Sequence, residues 1–428
     1  MNRRHFVQSV IAGAAMARTV ASGSQSVAAS EKVNVAFIGI RSRGKALISA
    51  FSALPDVNIA FLCDVDGRAL ESVGAQVEKK LGHRPKLAGD LRRVLDDKSI
   101  DAVVIATPDH WHAPATILAC DAGKDVYVEK PASHNLKEGL LMVEAARRNK
   151  RIVQHGTQNR SRPSTQRAID YIKAGKIGKA YMAKAWNVQL RNDIGHKADG
   201  PVPAGVDYDT WTGPALMLPF NENRFHYNWH WHWNYGTGDI GNDGAHQLDI
   251  ARWALGVDFP LGVSGMGRKL FFQDDQQTPD TMNISFDFKD KVIQWEMRIW
   301  NPYKLEGVDN GVAVYGSDGM VHIGRWKGGK SGFKVFDSKG EQVLFDEDTE
   351  GDLHARNFID CVRSREKPNA DIEIGYVSTV YTHLGNIVAR TGMNIKFDAK
   401  TQSVSGGAET NRLLTRQYRK HWATPVGI

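Results

Sequence analysis

Cysteine is scarce in this chain: three residues in 428, at Cys63, Cys120 and Cys361. No CxxC pair and no Cys/His spacing points to zinc. Cys63 ends an apolar run and Cys120 lies in an Ala/Leu-rich one, which suits buried, inert thiols. So few cysteines neither demand nor exclude an oxidising compartment. Long apolar runs are also lacking, and beyond residue 30 none reaches membrane-spanning length. There is no strong excess of one charge. The formal charge is +7, of which Arg3, Arg4 and Arg18 supply three within residues 1–30, where there is no acid. The remaining +4 is mild, and no basic run is interleaved with aromatics, so nothing points to a nucleic-acid partner. Internal repeats and low-complexity tracts are missing too. What is left is an ordinary globular composition in a chain too long for one core and suited to two domains.

The first thirty residues differ from the rest. Asn2-Arg3-Arg4-His5-Phe6-Val7 leads into an Ala/Val/Gly-rich stretch, and Val27-Ala28-Ala29 offers small residues for cleavage before Ser30. The segment resembles a twin-arginine export signal. A disordered basic N-terminus is the plainer alternative. The export reading predicts a periplasmic protein with no membrane segment in its mature form; the plainer one predicts a cytoplasmic protein.

Residues 31–157 alternate strand-like and helix-like patterns. Val33–Ile38 is a short β-branched run, and Leu47, Ile48, Phe51 and Leu54 then repeat at helical spacing. Strand patterns at 57–63, 102–106, 125–129 and 152–154 alternate with helical patterns at 68–81, 91–95, 113–122 and 136–149. This alternation predicts a doubly wound parallel sheet. In residues 158–428 a helix at 164–174 precedes long strands at 180–190, 281–288, 292–299, 312–315 and 333–336. They predict a second α/β domain with a large, open, mostly antiparallel sheet. Helices at 244–255, 353–363 and 375–389 are expected to cover one face of it. The mixed set Val292, Gln294, Glu296 and Arg298 would face outward. The Gly/Pro-rich interval 197–220 is long, and such loops are often functional.

The turn after the first strand is Gly39-Ile40-Arg41-Ser42-Arg43-Gly44. Phosphate binding needs a tight turn whose backbone N–H groups open a helix. Gly39 and Gly44 occupy the first and third glycine positions of a dinucleotide fingerprint, while Arg41 takes the second. Asp64 follows twenty residues after Gly44, at the end of the next strand, where a carboxylate accepts ribose hydroxyls and opposes a 2′-phosphate. NAD is therefore expected over NADP, although Arg41 or Arg43 can meet a phosphate. Farther on, Val126-Tyr127-Val128-Glu129-Lys130-Pro131 ends a late strand in an acid, a base and a proline, where open α/β sheets place ligand chemistry.

At Glu129-Lys130-Pro131 the sequence resembles the Gfo/Idh/MocA family, the glucose–fructose oxidoreductase and inositol dehydrogenase group. The segments 106–112 (Ala-Thr-Pro-Asp-His-Trp-His), Gly156-Thr157-Gln158, Trp211-Thr212-Gly213-Pro214 and Gly236-Thr237-Gly238 carry the same resemblance, as does 243–249 (Asp-Gly-Ala-His-Gln-Leu-Asp). It spans residues 33–395. The resemblance implies a Rossmann domain followed by a broad-sheet domain, and hydride transfer between NAD(P) and a hydroxyl carbon of a sugar or cyclitol. It also implies that Thr107, Pro108, His112, Glu129, Lys130 and Gln158 join the glycine turn (Gly39, Arg41, Ser42, Arg43, Gly44) and Asp64 around the cofactor. By position, Lys130 is the family's lysine at the reacting hydroxyl and His246 its candidate general base. Many members carry an aspartate four residues before that histidine. Here Asn242 stands there, with Asp243 next to it and Asp239 able to substitute if the loop folds back. Asp243 is carried as a third catalytic candidate. The outer sheet face is expected to pair into a dimer or tetramer.

The stretch 226–235, His-Tyr-Asn-Trp-His-Trp-His-Trp-Asn-Tyr, suits the apolar face and hydroxyls of a sugar ring. His230 and His232 share a face if extended, but no third metal ligand is suggested by spacing, and no metal is expected. Trp186, Arg191, Trp231 and Asn242 are the substrate-contact candidates, with Gln189 beside them; sheet packing is the alternative for the strand residues. Three functions fit. One is an NAD-dependent oxidoreductase acting on a sugar, cyclitol or glycoside. Another is a redox-neutral glycosidase, lyase or epimerase with a tightly held NAD that recovers its hydride. The third, a non-catalytic binding protein, is disfavoured by Lys130 and His246.

Overall fold

The computed structural model describes residues 31–326, 329–351 and 353–428. The export-signal reading falls on residues 1–30 and lies outside the described residues. The first sheet is built from β1 (Val33–Ile38), β2 (Val57–Cys63), β3 (Lys86–Ala88), β4 (Ala102–Ile105), β5 (Asp125–Val128) and β6 (Val153–His155). All its pairings are parallel, in the order β3-β2-β1-β4-β5-β6. Its strands read as continuous apolar runs because both faces are covered. Val35 and Phe37 point into one layer, and Ala36 and Ile38 into the other. Helices α1 (Ser42–Ser52) and α2 (Gly67–Leu81) cover the first face; α3 (Leu91–Asp96), α4 (Asp109–Asp121) and α5 (Leu136–Arg148) cover the second. The three cysteines are buried and unpaired, and burial pushes the Cys120 thiol up to about 12.

After α6 (Pro163–Lys173), β7 (Ala180–Asn187) starts the second sheet. A long excursion through α7 (Tyr208–Thr212) leads to α8 (Ala245–Leu255). Seven strands follow: β8 (Gly262–Arg268), β9 (Thr281–Asp287), β10 (Val292–Arg298), β11 (Asn310–Gly316), β12 (Gly319–Arg325), β13 (Ser331–Asp337) and β14 (Gln342–Glu347). After α9 (His354–Ser364) and α10 (Ile372–Thr391), β15 (Ile395–Asp398) and β16 (Ser403–Val404) close the set. The sheet runs β14-β13-β12-β11-β7-β10-β9-β8-β15-β16, antiparallel except where β7 meets β10. Ala183, Ala185, Ile293, Trp295 and Met297 pack against α8 and α10. Val292, Gln294, Glu296 and Arg298 stay half-exposed on the opposite face, as their alternation predicts.

One helix departs from expectation. The pattern at 353–363 was expected on the second sheet, yet α9 returns to the first. Phe358, Ile359 and Cys361 join the layer of Val35 and Phe37. Phe358 meets Tyr127 edge-on at 6.0 Å, and Arg356 ties to Asp56 at 2.7 Å. Amphipathic spacing reveals that a helix has an apolar face, not which sheet will bury it. α10 is buried nearly all round between the two sheets' layers, and it locks the site's two halves together: Thr379 Oγ1 accepts from Ala132 N just past β5, and Asn386 Nδ2 donates to Thr237 O before α8.

Candidate active site

The carboxyl ends of β1, β2, β4 and β5 open into a cleft of about 480 Å³, where doubly wound sheets bind ligands. The glycine turn builds its floor. Gly39 has φ +81°, and a Cβ there would lie 2.6 Å from Ala106 O; a Cβ on Gly44 would lie 2.2 Å from Gly39 O. Only glycine allows β1, β4 and α1 to approach this closely. Arg41 sits at the N-cap of α1 and caps nothing with its side chain, so the first N–H groups of α1 remain for a phosphate. Asp64 lines the cleft, and it also fastens the turn, accepting from Ile40 N (3.0 Å) and Asp66 N (3.0 Å). Burial raises its carboxyl above the usual range. Each oxygen keeps a further lone pair for a ribose hydroxyl.

Arg41 and Arg43 go to carboxylates. Arg41 Nη1 pairs with Asp66 at 3.1 Å, and Arg43 Nε pairs with Glu129 at 2.6 Å. Burial opposes charge on Glu129, but Arg43 and Lys130 prevail and hold it at about 2. Glu129 is therefore a tie between the glycine turn and β5, not an open acceptor. His112 lines the cleft, yet its Nδ1 lies 2.7 Å from Pro131 O and its Nε2 2.9 Å from Thr107 O. It staples α4 to the segment after β5, so its ring borders the cleft with both nitrogens engaged. Ser42, Thr107 and Pro108 line the cleft, whereas Gln158 does not. Thr107 Oγ1 is buried without a partner, so a hydroxyl waits unmet in the wall. The glycine cradle, the open N-terminus of α1 and this hydroxyl fit a dinucleotide.

Lys130 leaves the end of β5, and its Nζ donates to Asn242 O (2.6 Å) and Asn242 Oδ1 (2.7 Å). Asn242 lies in a widened π-type turn, Ile240–Gly244, that opens α8. Such turns recur at functional sites. His246 sits on the next turn, half-buried, with no partner for Nδ1. Burial, then Lys130, press its imidazole down to about 3, so it is neutral at ordinary pH. Asp243 takes its hydrogen bonds from the end of β7 and beyond rather than from Lys130. Its Oδ2 accepts from Asn187 Nδ2 (3.1 Å), Gln189 Nε2 (2.6 Å) and Arg191 Nη2. Burial, then the charge of Asp239, raise Asp243 to about 6. Asp239 Oδ1 accepts from Arg191 Nη2 (2.8 Å) and Asn242 Nδ2 (3.1 Å), and its Oδ2 from Trp231 Nε1 (3.1 Å).

The substrate candidates divide. Asn242 lines the cleft, and Arg191 lies beside it between two carboxylates. Trp231 is buried behind Asp239. Trp186 is fully buried on the far face of β7, packed against His322 with its Nε1 on Val308 O, which corrects its reading as a cleft residue. Strand parity carried that signal: Asn187, Gln189 and Arg191 share a side, and Trp186 has the other. Asn187 was missed for lack of that count. His230 and His232 separate because Asn228–Trp231 forms a 3-10 turn; His230 lines the cleft and His232 is buried. Among the described residues no group of three His, Cys, Asp or Glu side chains could hold a metal.

The excursion between β7 and α8 roofs the cleft. Gly67 N donates to Gly205 O (2.9 Å), Asp207 N to Val65 O (2.9 Å) and Trp111 Nε1 to Trp211 O (2.9 Å). Tyr208, Trp211, Phe220, Phe225, Trp229 and Tyr235 form its own small core. Trp211, Phe225, His226, Tyr227 and Trp229 thereby become a cleft wall facing the glycine turn. The C-terminal segment clamps the roof, with Arg419 Nε on Gly213 O (2.6 Å) and Trp422 against Trp111.

A Rossmann sheet, a glycine cradle and a lysine facing a helix N-terminus across one cleft define a dinucleotide-binding oxidoreductase. The model described as "Oxidoreductase family, NAD-binding Rossmann fold" matches residues 33–157, and "Oxidoreductase family, C-terminal alpha/beta domain" matches residues 186–424. The chain belongs to this Gfo/Idh/MocA oxidoreductase family, and its first sheet is the family's NAD-binding fold. It is similar to a scyllo-inositol 2-dehydrogenase (NAD(+)) of Bacillus subtilis, 26% identical over 350 residues that cover 78% of this chain and 88% of that protein. An alpha-N-acetylgalactosaminidase of Shewanella oneidensis is 30% identical over 125 residues, covering 28% of this chain and 27% of that one. The crystal structure of the WlbA dehydrogenase of Bordetella pertussis, in complex with NADH and UDP-GlcNAcA, shares the fold with a TM-score of 0.65 at 20% identity, over 86% of this chain and 99% of that one.

Proposed function

We propose that this protein transfers hydride between NAD and a hydroxyl carbon of a sugar, cyclitol or glycoside. The observation that carries the reading is Lys130 Nζ, fixed by two acceptors of Asn242 at the junction of the nucleotide floor and the aromatic wall. The glycine turn would hold the pyrophosphate of NAD, and the nicotinamide would supply the hydride acceptor. The chain's own residues do the rest. Two tetrahedral directions of Nζ are taken by Asn242, so the third is free for the substrate oxygen, where it stabilises charge as the hydroxyl proton leaves. His246, neutral and with Nδ1 unpartnered, is the proton acceptor. Gln189, Arg191 and Asp243 offer polar contacts for neighbouring hydroxyls. The resemblance to an inositol dehydrogenase supports a polyhydroxylated substrate.

The experiment is a panel of sugars, cyclitols and glycosides with NAD or NADP, followed by reduced-nicotinamide absorbance. A second reading is supported by the roof over the cleft and the partial match to a glycosidase. In it the cofactor stays bound and the cycle is redox-neutral, as an exported destination would favour. Native mass spectrometry of the purified protein separates the two: a cofactor carried through gel filtration supports the closed cycle, and free exchange supports the dehydrogenase.

A further inference from the structure

We propose that Asp239 is the positioning carboxylate of Lys130, acting through the side-chain amide of Asn242. The inference rests on the reading of Lys130 as the catalytic lysine. An amide has a donor end and an acceptor end, and a carboxylate only accepts. Asn242 Nδ2 faces Asp239 Oδ1 at 3.1 Å, which leaves Asn242 Oδ1 for Lys130 Nζ at 2.7 Å. The reversed amide would set an NH2 group against the lysine and an oxygen against the carboxylate. Asp239 therefore decides which atom Lys130 meets. It also places a negative charge one hydrogen bond behind the lysine, where a direct aspartate partner would place it at contact.

Asp239 is built to stay ionised. Its side chain is fully buried, with Arg191 and Asn242 on one oxygen and Trp231 on the other. Burial opposes the charge, but Arg191 and these donors outweigh it and hold the carboxyl below its usual range. The charged or titratable groups facing it are Arg191, Asp243, His230 and, through Asn242, Lys130. Asp243 shares Arg191 and is the one raised, so it takes up a proton first and spares Asp239. The loop before Asp239 is fixed as well: Gly238 has φ +69°, and a Cβ there would lie 2.9 Å from Thr278 Cβ. Asp239, Asn242 and Asp243 then fall at i, i+3 and i+4 on one face of the turn.

The test compares the full-length wild type with D239N and with D239N/N242D, which moves the carboxylate forward onto the lysine. Two readouts are taken: turnover on whichever substrate the wild type oxidises, and the rate at which Lys130 is acylated in protein without substrate, followed by mass spectrometry. D239N should lose roughly 10- to 100-fold in kcat, the value of a charge-assisted hydrogen bond, with the KM for NAD little changed. Its Lys130 should acylate several-fold faster, because the amine loses the acceptor that holds it. The double variant should recover both. Wild-type values in D239N overturn the proposal, and so does a loss that N242D does not rescue, which would make Asp239 a purely structural partner of Arg191 and Trp231. If D239N does not fold, D239E decides: it keeps the charge but shifts the acceptor that Asn242 Nδ2 meets, so turnover should fall and the acylation rate of Lys130 should change, and wild-type values for both overturn the proposal. Acylation needs no substrate, so a wild type that reduces no cofactor sinks the dehydrogenase reading and leaves this one measurable.

Discussion

Replacing Lys130 with Met keeps an unbranched side chain of similar length and removes the amine. The structure divides the consequences. The proposed nucleotide cradle is built on β1, α1 and Asp64, while Lys130 projects from β5 toward Asn242, so NAD affinity should stay close to wild type. Asn242 O and Oδ1 each lose a donor, and unmet buried acceptors cost about 1–3 kcal/mol each, so a lower unfolding temperature is expected. Chemistry should suffer most. A positioned donor to developing negative charge is worth roughly 100- to 1,000-fold, or about 3–4 kcal/mol of barrier. Stopped-flow reduction of saturating NAD gives the chemical step, and tryptophan-fluorescence quenching gives NAD affinity. A Lys130→Met protein that transfers hydride at the wild-type rate would refute the reasoning. So would a loss explained entirely by weaker NAD binding.

Asp64→Ala should raise the NAD dissociation constant and narrow the preference over NADP, because ribose acceptors and the charge opposing a 2′-phosphate are both lost; titrations giving equal NAD affinity would remove Asp64 from the ribose. Asp109 is buried, with Thr237 Oγ1 on Oδ2 at 2.7 Å, and burial raises its carboxyl to about 7. A raised carboxyl contributes stability that is full below its ordinary value near 3.8 and is lost as pH rises through about 7. Asp109→Asn should therefore flatten the stability–pH slope between those limits, and a slope unchanged in denaturant titrations would contradict this. The outer sheet face, where Glu296 pairs within the chain with Lys184 (2.8 Å) and Arg298 (3.0 Å), is proposed to join two copies. Light scattering should then give a dimer or tetramer at micromolar concentration, and a monomer would end that proposal.

The Rossmann half was readable because parallel strands buried on both faces leave unbroken apolar runs between helical repeats. The second sheet was readable only where alternation is strong, as in β9 and β10. β8 (Gly262–Arg268) carries three glycines and β12 (Gly319–Arg325) two, both with little alternation, and they went unseen. In the site, Lys130 and the glycine turn follow from strand ends, which sequence patterns locate well, while Asn242 follows only from the family resemblance around His246. The destinations of Arg43, His112 and Trp231 depend on partners 86, 19 and 8 residues away, and no local pattern encodes such pairings. Asp239 was named only as a substitute for direct contact with the lysine. Its actual place, one amide behind, depends on how the π-type turn spaces three polar side chains.

The most direct test of the central claim is single-turnover absorbance of the purified protein with NAD across a panel of sugars, cyclitols and glycosides. The account predicts formation of reduced nicotinamide with at least one polyhydroxylated substrate, more readily with NAD than with NADP, and its loss in Lys130→Met. Protein that binds NAD yet forms no reduced nicotinamide with any member of the panel, even transiently, would contradict it.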